Sequence, residues 1–181
     1  MLGLSNSLIS NGLNIRRYTY TSDFTSGADN WEAFSVQGTL TLATNQTAPG
    51  SGEAGWLKGT FDTNQDNQSG IKISIQNAFG ISRIFPGGYH EVTAKIYLDS
   101  PGGNDYWGGA DDVATYFLAN GQGASSNVTQ EQVFSYSGGP SNNFLTDTTS
   151  DISLYWIGAG DRPAAGAVFY IKDIVWNIYT F

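Results

Sequence analysis

The sequence predicts an all-β fold, an antiparallel β-sandwich or barrel, and three observations carry that expectation. Apolar residues recur at every second position in short runs. Clusters of Gly, Pro, Asn, Asp and Ser separate those runs. The composition supplies a core, with 40% hydrophobic and 14% aromatic residues in a chain of 181, a length that suits one domain.

The elements follow in order. Residues 1–15 stand apart, with Leu2, Leu4, Leu8, Ile9, Leu13 and Ile15 irregularly spaced among Ser and Asn. This stretch reads as an N-terminal arm, and residues 16–181 as the domain. In TLTLA, Leu40 and Leu42 share a face. GIKISIQ alternates cleanly, placing Ile71, Ile73 and Ile75 together. In YHEVTAKIYL, His90, Val92, Ala94, Ile96 and Leu98 face one way, and Tyr89, Glu91, Thr93, Lys95 and Tyr97 the other. DISLYWIG aligns Ile152, Leu154 and Trp156. Turns are expected at 48–55, 62–70, 86–88, 100–105 and 137–143. The segment 110–121 fits a short helix capped by Asp111 or Asp112 and by Asn120-Gly121, or a strand with Val113 and Phe117 inward. Its neighbours are strands, which favours a strand.

The closing run VFYIKDIVW poses a problem: a strand built for burial carries Lys172 and Asp173 at its middle. Phe169 and Ile171 share one face before the pair. Ile174, Trp176 and Ile178 share a face after it. The apolar phase passes from odd to even, and a period-two strand does that by inserting one residue. The pair therefore predicts a β-bulge. If Asp173 turns inward there, it needs a partner or a metal, because a lone buried carboxylate is costly.

Charge and motifs exclude several functions. The formal net charge is -8 and Lys and Arg number only 8, so no nucleic-acid partner is expected. Arg16-Arg17 is the only basic pair. There is no Cys, hence no disulfide framework, thiolate zinc site or Cys nucleophile. No apolar run reaches the ~20 residues of a membrane span. MLGLSNSLISNGLNIRR lacks the order of a secretory signal, its basic pair coming after broken apolar residues. The sequons at Asn45, Asn67 and Asn127 read as polar loop positions without a glycosylating export route. His90 is the single His, and no G-x-S-x-G elbow, Walker or dinucleotide pattern accompanies it. It reads as a core-edge His with a satisfied ring nitrogen. Asp111 and Asp112 are adjacent, so on a strand they point to opposite faces and form no pair of glycosidase carboxylates. No enzyme is expected.

Two places are candidates for contact. GGNDYWGGADD, 102–112, reads as a loop that sets Tyr106 and Trp107 among Gly and Asp. Such rings can stack on a sugar, dock on a protein, or fold back as a plug over the sandwich end. The face with Tyr89, Glu91, Lys95 and Tyr97 fits a groove, or an ordinary solvated strand face.

Three stretches carry a family likeness. DFTSGADNWEAF at 23–34, GGYHEVTAKIYLD at 87–99 and the closing VFYIKDIVW resemble the opening, central and last strands of galactose-binding-like carbohydrate-binding modules. The resemblance implies a jelly roll whose first and last strands pair, with a structural calcium beside them. Carried over by position, Asp23 and Asp173 would be its side-chain ligands, with carbonyls from 49–53. Lys172 departs from the family's paired late acids and leaves a salt-bridged Asp173 as the other reading.

Function then divides three ways. The main expectation is a non-catalytic virion structural protein of a tailed bacteriophage, a capsid decoration or tail appendage. Its composition looks extracellular without an export signal, and a chain that starts at Met1 with an apolar arm reads as a whole gene product. Leu2, Leu4, Leu8, Ile9 and Leu13 would dock on other virion proteins, each buried large aliphatic contributing about 1.5–3 kcal/mol before ordering costs. Symmetric homo-oligomers would suit that role, and a cell-surface glycan is a further partner. The alternatives are a free carbohydrate-binding module or lectin, and a glycan-active enzyme.

Overall fold

The computed structural model describes residues 16–35, 38–63, 69–81, 89–99, 105–111, 116–123, 132–137, 151–158 and 164–180. Its strands run in chain order as β1 (Arg16–Ser22), β2 (Glu32–Ser35), β3 (Leu40–Gln46), β4 (Trp56–Phe61) and β5 (Ser69–Ser74), then a one-turn helix α1 (Ile75–Phe79). There follow β6 (Tyr89–Asp99), β7 (Asp105–Asp111), β8 (Tyr116–Gly123), β9 (Gln132–Ser137), β10 (Asp151–Gly158) and β11 (Val168–Thr180). Every pairing among the described residues is antiparallel.

The strands form two sheets, as the period-two pattern predicts. One has the order β3-β4-β11-β6-β9, with β1 also paired to β11. The other has the order β2-β5-β10-β7-β8. Between them lies the core of Leu57, Phe61, Ile71, Ile73, Val92, Ala94, Ile96, Leu98, Ile152, Leu154 and the inward residues of β11. The interior is aromatic as well as aliphatic. Phe79 meets Trp176 edge-on at 4.9 Å, and Phe61 lies 5.8 Å from Phe169. Such pairs add about 0.5–1.5 kcal/mol to the burial of their area.

β11 organises the first sheet. β6 runs along one of its edges. The other edge is shared, with β4 covering Val168–Ile171 and β1 covering Ile174–Thr180. First and last strands therefore pair, in register from Arg16↔Thr180 to Ser22↔Ile174. The bulge sits where the neighbour changes. Lys172 opposes Lys95 and Val175 opposes Thr93, so β11 spends one residue more than β6. Phe169 and Ile171 before it, and Ile174, Trp176 and Ile178 after it, all point into the core. Asp173 absorbs the bend at a φ of 53°, a left-handed backbone that Asp tolerates better than most side chains.

Four expectations change. GIKISIQ does not stay a strand to its end. The Ser74 hydroxyl accepts from the Asn77 N–H at 3.1 Å and caps α1, which stops at Gly80 with a φ of 63°. Ile75 remains buried, with Ala78 and Phe79 beside it. The stretch 105–111 is not a loop but strand β7, held between β10 and β8. Its glycines suggest a bend, yet pairing on both edges keeps it extended. Asp173 does not turn inward. Its carboxylate meets Lys95 at 2.9 Å on the outer side of the sheet, with the side chain 40% exposed. The segment 110–121 is not the single strand preferred from the sequence: Ala110 and Asp111 end β7, and β8 from Tyr116 pairs back on it at Ala110↔Tyr116, while 112–115 and the arm at 1–15 lie outside the described residues.

Candidate functional site

The outer face of the five-stranded sheet gathers an aromatic pair and a set of polar groups. Ile71 and Ile73 of β5, and Ile152 and Leu154 of β10, point into the core. The alternate residues Gly70, Lys72, Ser74, Ser153 and Tyr155 therefore belong to the outer face. Register places Phe34 of β2, Gly70 and Tyr155 in one row. Gly70 carries no side chain, and the two rings meet across it with centroids 6.3 Å apart and planes tilted by 51°. A Cβ on Gly70 would stand 2.1 Å from the Leu154 carbonyl oxygen and 2.6 Å from Tyr155 Cα. Glycine is thus what lets β10 approach closely enough for the ring contact. Tyr155 is fully buried and Phe34 stays half-buried at the edge.

Polar groups border the rings. In the next row Glu32 opposes Lys72, which opposes Ser153. The Lys72 ammonium meets Asp151 at 2.8 Å with both side chains partly exposed. Of the two rings only Phe34 keeps accessible surface, with Tyr155 backing it from beneath. An apolar ring face beside donors and acceptors is the arrangement that a sugar, apolar on its ring faces and hydroxylated around its rim, requires.

The four tyrosine and tryptophan positions singled out from the sequence do not form one site. Tyr106 and Trp107 lie on β7, where Trp107 opposes Trp156 and the following Gly108 opposes Tyr155. Tyr89 and Tyr97 lie at opposite ends of β6 in the other sheet. Tyr97 is only 4% exposed, so it offers no contact plate. Its ring meets Tyr170 edge-on at 5.7 Å, in a second small core with Ala48, Trp56 and Val168. Burial raises the pKa of both phenols, and Asp99 adds to the effect. A face that reads as solvated by alternation is covered here, because the 48–55 segment contributes Ala48 to it. The docking residues Leu2, Leu4, Leu8, Ile9 and Leu13 lie outside the described residues. His90 opposes Ile178. Phe34, Tyr155, Lys72 and Asp151 were not legible as a group, since only long-range register makes them neighbours.

The residues carried over for calcium do not fit it. Asp23 does sit beside the loop before β4, as its position implies. One carboxylate oxygen accepts from the Thr25 N–H at 3.0 Å and the Thr25 hydroxyl at 2.8 Å. These bonds, the N–H first, hold the carboxyl below its usual range, and the Lys172 charge assists. The late partner, however, is Lys172. Its ammonium donates to Glu53 at 3.0 Å and to the Ala54 carbonyl at 2.9 Å. Asp173 is engaged by Lys95 instead. Among the described residues no three His, Asp or Glu side chains are grouped to hold a metal.

No protein-family model matches the chain, and no curated protein does. Solved structures do. The xylan-binding domain from CBM 22 shares 15% identity, with a TM-score of 0.52 over 87% of this chain and 92% of its own. The tandem CBM22 domains of Paenibacillus barcinonensis Xyn10C give 14% identity and a TM-score of 0.55 over 88% of this chain and 45% of theirs. The arabinose-bound MgGH51 α-L-arabinofuranosidase gives 13% and 0.56, this chain spanning only 23% of that enzyme. At these identities the likeness is one of fold, and the fold is the jelly-roll β-sandwich of carbohydrate-binding modules.

Proposed function

We propose that the protein is a non-catalytic carbohydrate-binding domain. The single observation that carries this reading is the Phe34 ring, held at the edge of the five-stranded sheet's outer face against the buried Tyr155 and bordered by Glu32, Lys72, Ser153 and Asp151. The fold shared with the CBM22 domains supports it. The net charge of -8 suits a neutral polysaccharide better than an anionic one.

Affinity electrophoresis in gels cast with soluble xylan, arabinoxylan or mixed-linkage β-glucan tests it. Retardation of the native chain, reduced at least tenfold in affinity by Phe34→Ala with an unchanged circular dichroism spectrum, is the expected outcome. Migration unaltered by every polysaccharide would reject the reading. Release of reducing ends would make the protein an enzyme.

A second reading keeps the chain as a virion component docked through residues 1–15, with glycan contact as a subsidiary role. It rests on the composition and the apolar leader of the sequence alone. Its test is removal of residues 1–13 and co-purification: loss of partner proteins supports docking, and unchanged partners exclude it.

A further inference from the structure

We propose that the Lys172 ammonium takes the place of a structural metal ion, as a cation tethered to the chain that closes the seam between β1 and β4. The seam is a consequence of topology. β4 stops pairing with β11 at Leu57↔Ile171, and β1 starts at Ser22↔Ile174. At Lys172 and Asp173 the edge of β11 passes from one neighbour to the other, and the bulge interrupts the ladder on the far side as well. Backbone pairing is thinnest there.

Three segments converge on that gap. Asp23 follows the last residue of β1, and residues 53–55 precede the first residue of β4. A Cβ on Gly55 would lie 3.1 Å from the Asp23 carbonyl oxygen and 3.6 Å from Lys172 Cε. The Lys172 side chain is only 14% exposed, so its head is fixed rather than free in solvent. It donates to one carboxylate oxygen and one backbone carbonyl. That is the ligand chemistry of a hard divalent ion, a mixture of carboxylate and carbonyl oxygens. The ammonium supplies the positive charge without a binding equilibrium. Asp173, the residue whose position would offer a carboxylate to a metal, is drawn to Lys95 on the opposite edge of the strand.

This inference is independent of the glycan reading and is tested by melting rather than binding. The native chain is expected to give one Tm, unchanged between 5 mM EDTA and 5 mM calcium chloride. Lys172→Met keeps the aliphatic stem and removes the charge. It is expected to lower Tm by about 2–4 °C, again with no calcium response. Lys172→Asp restores a carboxylate beside Asp23 and Glu53. It is expected to melt lowest in EDTA and to regain stability with calcium. A saturable rise in the Tm of the native chain with calcium would overturn the proposal. So would a Lys172→Met variant that melts with the native chain.

Discussion

Gly59 shows how little room a single residue has in this core. A Cβ there would fall 2.1 Å from Phe169 Cε1 and 2.2 Å from Cζ. The Phe169 ring occupies the space that any side chain on Gly59 would need. Gly59→Ala is expected to destabilise the fold by about 1–3 kcal/mol, measured by urea unfolding. Phe169→Leu in the same chain should recover part of that loss, because the obstruction is the ring. The tyrosines give a second prediction at this scale. Burial pushes Tyr97, Tyr170 and Tyr20 above the ordinary phenol range. A raised phenol favours its neutral form in the folded state. The stability this gives is complete below the unfolded value and disappears as pH rises through the folded one. An absorbance titration at 295 nm should show these phenols ionising later than the others. Tyr97→Phe should remove one late step and soften the alkaline fall in Tm.

The strands differ in how openly they announce themselves. β11 was legible down to its defect, since a change of apolar phase on either side of Lys172-Asp173 has no other solution in a continuous strand. The runs at 39–43, 89–98 and 151–158 were equally plain. β7 was not, because a run with two glycines and two aspartates has no period of its own and is held extended by its neighbours. α1 was hidden by Ile75, which continues the alternation of β5 while its backbone turns helical. The available signal was local: Ser74 three residues before Asn77, and Gly80 at the end. The bulge carries the prediction for this scale. Its backbone at Asp173 is left-handed, where a β-branched residue is badly strained. Asp173→Val should destabilise by about 1–3 kcal/mol. Asp173→Gly should be milder, losing the exposed pair with Lys95 but relieving the backbone, and thermal melts of the two variants side by side would show the order.

At the scale of the whole molecule, the two-layer architecture was legible and the site was not. Alternation assigns each strand an inner and an outer face. It does not say which strands are adjacent, and the order β2-β5-β10-β7-β8 brings together segments from far apart in the chain. Phe34 lay within a stretch already noted for its likeness to the family, and Tyr155 within a recognised strand. Only the pairing through Gly70 makes them one feature. The same limit explains Tyr97: a sequence shows that it points out of its sheet, but not that the 48–55 segment and Tyr170 enclose it there. The surroundings of Lys172 and Asp173 were hidden for a related reason: the sequence shows the two charges side by side, but not that Lys172 reaches Glu53 while Asp173 reaches Lys95.

The pairing of Arg16 with Thr180 has a mechanical consequence. The two strands run antiparallel with these residues at the same end, so tension applied through them acts across the ladder and not along it. The rungs then part in sequence, beginning at Arg16 and finishing at Ser22, each bearing the load alone. A domain tethered by both of these ends yields to small forces by peeling, whereas one held at a single end and gripped elsewhere on its surface is spared that failure.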